Sequence, residues 1–141
     1  MVLGQALDIA AETATTPLTL KDITRLQAGK TGALIEWSAT TGARLSGENA
    51  EYLRHYSTSL GLAFQIADDI LDVEGNEQTA GKRLNKDASA GKATFVSLLG
   101  LAGAKTRAAH LCDQACDALA PYGADAECLR QAARFVIARQ Y

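Results

Sequence analysis

The sequence predicts an all-α fold on three observations. Apolar residues recur at helical spacing along most of the 141 residues. Only two prolines, Pro17 and Pro121, occur in the chain. Alternating β-branched runs bounded by Asn-Gly or Asp-Gly turns, which are typical of hairpins, are missing from the sequence. No repeat, low-complexity tract or linker divides the chain, so we expect one helical domain.

The amino-terminal third predicts two helical segments. A short helix covers "GQALDIAAE" and ends in the loop "TATTPL". Thr19 and Asp22 then have the spacing of an N-cap and an acidic first turn for the segment 21–45. Lys30-Thr31 lies between two glycines inside this segment. Because each interior glycine costs about 1 kcal/mol relative to alanine, we expect a kink or a backbone that approaches a ligand there, with tight helix packing as the alternative.

The remainder of the chain predicts one long helix, a polar loop and three further helices. After the turn "SGE", a helix is expected from about Glu48 to Glu74. The polar loop "GNEQTAGKRLNKDASAGK" follows it. Helical periodicity then resumes in "ATFVSLLG", in "AKTRAAHLCDQACDALAPYG" and in "DAECLRQAARFVIARQY". His55 and His110 are expected on helix surfaces.

Composition narrows the class of protein. The chain is 48% hydrophobic and 21% charged, with a net charge of -2, so it has no polybasic field for nucleic acid or for an anionic membrane. No uninterrupted apolar stretch is long enough to span a bilayer. The cysteines are odd in number and lie in helical patterns, which favours reduced thiols and a cytoplasmic protein. Cys112 and Cys116 share a helix face, and we expect small buried side chains there rather than a metal pair.

An acidic stripe lies in the long helix, within "GLAFQIADDILDVEG". At about 100° per residue, Gln65, Asp68 and Asp72 share one face with Gly61, and Asp69 lies on its edge. The opposite face is apolar, which predicts a buried helix whose polar stripe lines a cavity. Several carboxylates without histidine or cysteine favour a hard cation such as Mg²⁺. A solvated acidic face is the alternative interpretation.

Basic residues that could complete a phosphate site occur in two places. One is Lys30 with Thr31, and the other is the polar loop, which carries Lys82, Arg83, Lys86 and Lys92. Solvated surface lysines are the alternative for each of them taken singly. A nucleotide-binding P-loop is excluded for "AGKTG", because Thr24 stands where that motif needs a glycine and no strand precedes it.

Several of these segments together resemble one family. "GLAFQIADDILD" resembles the second aspartate-rich motif of the trans-isoprenyl diphosphate synthases. Four further segments have the order and spacing found in the carboxy-terminal half of bacterial farnesyl and geranylgeranyl diphosphate synthases. They are "GQALD", "GKTGALI", "TAGKRLNKDASAGKATF" and "SLLGL". The resemblance covers residues 1–141 and implies the carboxy-terminal portion of one isoprenoid-synthase helical bundle. Gly29 departs from it, since family members often have histidine there.

The resemblance implies a Mg²⁺-dependent prenyltransferase that condenses isopentenyl diphosphate with an allylic diphosphate to a farnesyl or geranylgeranyl product. The implied metal ligands are Asp68, Asp69 and Asp72. The implied diphosphate contacts are Lys30, Lys82 and Lys92, and Asp87 would order the loop lysines. Thr31 and Gln65 would face the allylic C1 region, Gln5 would line a neighbouring wall, and Phe64 would lie near the homoallylic substrate.

Part of the family's site is missing from this sequence. A first aspartate-rich motif belongs to the amino-terminal half of such enzymes, and no second acidic cluster of this kind occurs here. We therefore expect a fragment, truncated gene product or proteolysed species that is inactive alone, from a parent enzyme expected to be a homodimer. The alternatives are a terpene cyclase, a squalene-synthase-like relative or a noncatalytic helical partner subunit. The residues that would set product length lie mainly in the missing half.

Overall fold

The computed structural model describes residues 1–13, 16–74 and 93–139, and every regular element in these ranges is helical. The all-α prediction is therefore confirmed. The elements in chain order are α1 (Val2–Glu12), α2 (Leu20–Gln27), a π-helical turn (Ala28–Gly32), α3 (Ala33–Ser46), α4 (Glu51–Glu74), α5 (Phe95–Ala118), a 3-10 helix (Ala120–Ala126) and α6 (Glu127–Ala138).

The predicted start of α2 is confirmed by its cap. The amide of Asp22 donates to the Thr19 hydroxyl at 3.3 Å, and the Thr19 amide donates to the Asp22 carboxylate at 3.0 Å. These reciprocal bonds form a capping box, which satisfies amides that a helix end leaves without partners. The bonds from the Thr19 hydroxyl and amide also hold the pKa of Asp22 below its usual value. The box fixes the start of the segment that carries Lys30.

Two helix boundaries differ from the predicted ones. Helix α4 begins at Glu51 rather than Glu48, because Gly47 ends α3 with φ of 77° and the Asn49 side chain accepts the Glu51 amide at 2.8 Å. The helices expected at 93–100 and 104–123 form one element, α5, which has a non-helical residue at Gly100 with φ of 69°. Helix α5 ends at Ala118, before Pro121, and the 3-10 helix follows it.

The core lies mainly between α4 and α5, which make the most extensive contact among the described elements. One cluster joins Ile23 of α2 to Ile66 of α4 and Phe95 of α5. A second cluster joins α4 and α5 to α6, and it includes Tyr56, whose hydroxyl donates to the carbonyl of Leu129 at 3.0 Å. Both clusters hold α4 in place along its apolar side. The acidic stripe therefore rests on a rigid element.

The cysteines and the histidines take mostly the expected places. Cys112 is buried in the second cluster, as predicted, while Cys116 is half-buried and Cys128 is exposed. Burial raises the pKa of the Cys112 thiol to about 11. His55 and His110 are exposed on α4 and α5, which confirms the prediction for both.

Helices α1 and α3 leave large apolar side chains exposed. The large apolar side chains of the described residues that are more than half exposed are Met1, Val2, Leu3 and Ile9 on or beside α1, Leu34, Trp37 and Leu45 on α3, and Phe135 on α6. Within the described ranges, no helix combines the length and the apolar character that crossing a membrane requires.

Candidate functional site

The π-helical turn packs directly on the start of the acidic stripe. Gly61 of α4 is buried, and a Cβ atom added to it would lie 3.2 Å from the Cα of Gly32. This close approach is possible because both residues are glycines. The stripe then continues from Gly61 through Gln65 to Asp68, which lies about 10 Å further along α4 at 1.5 Å per residue. The structure thus places the turn that carries Lys30 and Thr31 against the Gly61 end of the stripe.

The turn also packs against α1. A Cβ atom added to Gly4 would lie 2.2 Å from the backbone carbon of Gly29 and from the amide nitrogen of Lys30. One turn further along α1, the carboxylate of Asp8 accepts a hydrogen bond of 2.5 Å from the Lys30 ammonium group. The side chain of Asp8 is only 7% exposed, and that of Lys30 is 33% exposed. Lys30 is therefore not a solvated surface lysine.

Asp68 contacts a residue from the far end of the described chain. The Arg139 guanidinium donates to Asp68 Oδ1 at 2.6 Å and to the Phe64 carbonyl at 3.2 Å. It also lies 4.0 Å from the centroid of the Phe64 ring, in the geometry of a cation–π contact. The Asp68 side chain is 39% exposed, whereas that of Arg139 is 13% exposed. Asp68 is thus held by a cation on a mostly buried side chain.

Asp69 lies on a different side of α4. Its carboxylate accepts a hydrogen bond of 2.7 Å from the amide of Phe95, the first residue of α5. A carboxylate there satisfies an amide at the helix start and interacts favourably with the positive end of the helix dipole. Consecutive helical residues point about 100° apart, which accounts for the different partners of Asp68 and Asp69 in the described chain. Asp69 therefore also has a structural role, which the sequence did not suggest.

The predicted metal ligands do not converge in the described part of the chain. Among those residues, no three histidine, cysteine or acidic side chains are placed to hold a metal ion. Asp68 and Asp72, one turn apart, remain the pair that could do so, because Mg²⁺ is commonly bound by one or two carboxylates together with water and phosphate oxygens. Asp72 is half-buried. The three-carboxylate assignment stays a prediction.

The remaining predicted residues are distributed as follows. Gln65 in the stripe, its neighbour Phe64 and Thr31 in the π-helical turn are half-buried. Gln5 is exposed on α1. Lys82, Lys92, the other basic residues of the polar loop and Asp87 lie outside the described residues.

The described elements do not enclose the stripe, since Asp68 is 39% exposed. A cavity of about 560 Å³ lies instead against the opposite face of α4, where the described residues that line it include Leu62, Ile66 and Phe95 rather than the predicted site residues.

Two residues at this site were not identified from the sequence. Asp8 carried a weak signal, because it is a lone acidic residue within the apolar run "ALDIAA". Arg139 carried no comparable signal, because it lies 71 residues from Asp68 and no helical periodicity relates positions so far apart. Both contacts require the tertiary fold.

Comparison with known proteins gives consistent matches. The chain matches the family model described as Polyprenyl synthetase over residues 1–127. It is 40% identical to farnesyl diphosphate synthase of Geobacillus stearothermophilus over 144 residues, which cover 100% of this chain and 48% of that protein.

Solved structures agree with this match. An FPP/GFPP synthase from Zymomonas mobilis superposes with a TM-score of 0.83 at 45% identity, over 96% of this chain and 45% of that one. A geranyltransferase from Helicobacter pylori, complexed with magnesium and isoprenyl diphosphate, has a TM-score of 0.76 at 34% identity, over 98% of this chain and 46% of that one. The chain spans about half the length of the relatives it matches.

Proposed function

The chain belongs to the polyprenyl synthetase family, and on that premise we propose that it provides one side of an active site that condenses isopentenyl diphosphate with an allylic diphosphate. The observation that carries the proposal is the packing of Gly32 on Gly61, which brings Lys30 and Thr31 beside the acidic stripe. Cationic and carboxylate groups are then available around one diphosphate. The rest of the site belongs to a part of such enzymes that this chain does not match.

In this proposal the residues of the turn bind and orient the allylic substrate. The Lys30 ammonium group contacts diphosphate oxygens, and Thr31 and Gln65 present oxygen dipoles to C1. Such dipoles stabilise positive charge that develops at C1 as its bond to oxygen breaks. The double bond of isopentenyl diphosphate then forms the new bond to C1, and the proton that is lost passes to the released diphosphate. Phe64 is assigned to the homoallylic side, and Gln5 to an adjoining wall.

Asp68 and Asp72 are the residues of this chain that fit a divalent cation. They are one turn apart on a single face of α4, and the described structure leaves that face partly exposed. When bound, Mg²⁺ neutralises negative charge on the departing diphosphate. The magnesium and isoprenyl diphosphate in the Helicobacter pylori geranyltransferase support this choice of cation and substrate class. Lys82 and Lys92 remain candidates for further diphosphate contacts, and a homodimer in the cytoplasm remains part of the proposal.

A graft tests this proposal. The chain replaces the matched segment of the Zymomonas mobilis synthase, and the purified graft is incubated with labelled isopentenyl diphosphate, an allylic primer and Mg²⁺. We expect a labelled prenyl diphosphate from the graft and none from the 141-residue chain alone, because the chain alone does not hold both substrates in line. Asp117→Ala, on an exposed residue of α5, is the matched control for Asp68→Ala.

The outcomes distinguish the alternatives. A folded graft that makes no product, or a graft whose activity is unaffected by Asp68→Ala, contradicts the proposal. Conversion of the primer to a hydrocarbon without label from isopentenyl diphosphate would indicate a cyclase. Turnover by the rigorously purified 141-residue chain would contradict the expectation that it supplies only one side of the site.

A further inference from the structure

Helix α1 contacts the π-helical turn at two positions that are one helical turn apart. Gly4 lies against the backbone of Gly29 and Lys30, with no space for a Cβ atom. Asp8 lies four residues later on the same face of α1 and binds the Lys30 ammonium group at 2.5 Å. Both Gly4 and Asp8 are buried. Helix α1 therefore holds both the backbone and the side chain of residue 30.

The turn is also limited on its other side. Gly61 of α4 approaches the Cα of Gly32 so closely that an added Cβ would lie 3.2 Å away. The turn is thus packed between α1 and α4, and its backbone has little room to shift. π-Helical turns are rare and occur often at functional sites. The lysine side chain, with its four rotatable bonds, is the part of this turn that still needs to be ordered.

The ion pair provides that ordering. A lysine side chain has high rotamer entropy, so an unrestrained Lys30 would sample many positions. A carboxylate that is 7% exposed has lost most of its water, and its hydrogen bond to the ammonium group compensates for that loss. Because Lys30 is still 33% exposed, the ammonium group is held by Asp8 without being fully enclosed. It can therefore meet a second anion.

We propose that Asp8 is a positioning residue that holds the Lys30 ammonium group where it binds the diphosphate of the allylic substrate. Asp8 acts through Lys30 and does not itself contact the substrate. This inference rests on the proposed function of the site. It assigns a role to Asp8 of α1, which belongs neither to the acidic stripe nor to the basic residues predicted from the sequence. Its consequence is that removing the Asp8 charge weakens diphosphate binding only while Lys30 is present.

A double-mutant cycle tests that consequence in the active graft. Asp8→Asn, Lys30→Met and the double variant are compared by kcat and by KM for each substrate. We expect Asp8→Asn to raise KM for the allylic diphosphate by about 3-fold to 100-fold, the range expected for two directly coupled side chains. KM for isopentenyl diphosphate should change by less than about twofold, since only one substrate is bound through Lys30. In the Lys30→Met background, Asp8→Asn should have no further effect.

The control is Asp113→Asn, which removes an exposed aspartate on α5 and should leave all three kinetic parameters unchanged. A merely structural role predicts a different result, namely an equal loss of activity from Asp8→Asn with or without Lys30. That result would overturn the proposal. So would an unchanged KM for the allylic diphosphate in a folded Asp8→Asn graft.

A second measurement uses the 141-residue chain and does not depend on turnover, so it remains informative where the proposed function fails. Amine acylation is followed at each lysine by mass spectrometry. We expect Lys30 to react more slowly than Lys105, whose side chain is 52% exposed, and Asp8→Asn to raise the Lys30 rate several-fold while Lys105 is unchanged. Equal Lys30 rates in the two proteins would show that Asp8 does not restrain the ammonium group and would overturn the inference.

Discussion

Arg139, just after the end of α6, donates a hydrogen bond of 2.6 Å to Asp68 in the acidic stripe of α4. The same guanidinium lies 4.0 Å from the ring centroid of Phe64 and donates to the Phe64 carbonyl. This contact bears on how a largely apolar helix tolerates a cluster of carboxylates, because burying a charge without compensation is unfavourable. Part of the answer lies within the chain itself, since Arg139 neutralises Asp68 and the α5 amide at Phe95 binds Asp69.

Substitution Arg139→Gln should destabilise the protein. It removes the cation–π contact with Phe64 and the charged hydrogen bond to Asp68, which together are expected to contribute about 1–2 kcal/mol to the free energy of unfolding. Urea unfolding followed by circular dichroism measures the change. Arg134→Gln is the control, because Arg134 lies within α6, near Arg139 in the chain, but is 57% exposed and pairs with Glu127 at the surface. Equal losses from the two variants would contradict the prediction.

Asp68→Ala should reduce turnover of the graft by roughly 100-fold to 1,000-fold, the range seen when one electrostatic contact to a transition state is removed. The reason is that a candidate metal ligand and its charge disappear together. Steady-state assays under saturating Mg²⁺ measure the effect, and circular dichroism checks that the variant is folded. Activity near that of the unsubstituted graft would refute the assignment of Asp68 as a metal ligand.

Gly4→Ala and Gly42→Ala should have opposite effects on stability. A Cβ atom at Gly4 would lie 2.2 Å from backbone atoms of the π-helical turn, so α1 must move away, at a cost of about 1–3 kcal/mol or more. Apart from its chain neighbours and the backbone of α3 itself, a Cβ atom at Gly42 would have no described heavy atom within 4 Å. Alanine there should stabilise the protein by about 0.5–1 kcal/mol, because glycine loses more backbone freedom on folding. Thermal unfolding of both variants measures these changes.

A destabilising Gly42→Ala substitution would show that α3 has a contact at that face which the described residues do not provide. A neutral Gly4→Ala substitution would show that α1 can separate from the turn without cost. The second result would also weaken the case that α1 positions Lys30. This pair of variants therefore tests both the packing of α1 on the turn and its role in positioning Lys30.

Thiol labelling should distinguish Cys112 from Cys128 by their rates of reaction. Burial raises the pKa of the Cys112 thiol from 9.0 to about 11, whereas Cys128 is exposed. Since the thiolate is the reactive form, iodoacetamide at pH 8 should modify Cys128 first and leave Cys112 unmodified in the folded protein. Peptide mass spectrometry identifies the sites. Rapid modification of Cys112 at pH 8 would contradict its burial in the second core cluster.

The same shift in pKa predicts how stability depends on pH. Above pH 9 the unfolded chain releases the Cys112 proton while the folded protein keeps it, so the unfolded state binds fewer protons. Stability from this group is therefore complete below pH 9 and is lost as the pH rises towards 11. The pKa of Tyr56 is raised by burial as well and acts in the same direction. Urea unfolding of Cys112→Ala should show a weaker decline over this pH range than the unsubstituted chain.

Much of the helical architecture could be predicted from the sequence because its determinants are local. Apolar spacing and the cap at Thr19 and Asp22 placed α2, and the stripe of Gln65, Asp68 and Asp72 follows directly from 3.6 residues per turn. The glycines around Lys30 correctly indicated an irregular backbone. The alternative explanation, tight helix packing, applies here, because the π-helical turn lies against Gly4 and Gly61.

Other features were decided only by the tertiary structure. The sequence places Asp68 and Asp69 side by side, but their partners come from the end of α6 and the start of α5. Asp8 and Lys30 are 22 residues apart, and no helical periodicity relates them. A hydrogen bond within a helix depends on residues only a few positions away in the sequence. The same is true of the helix face on which a residue lies. Ion pairs between helices depend on how whole helices pack, which is determined by burial of the apolar faces of α2, α4 and α5 together.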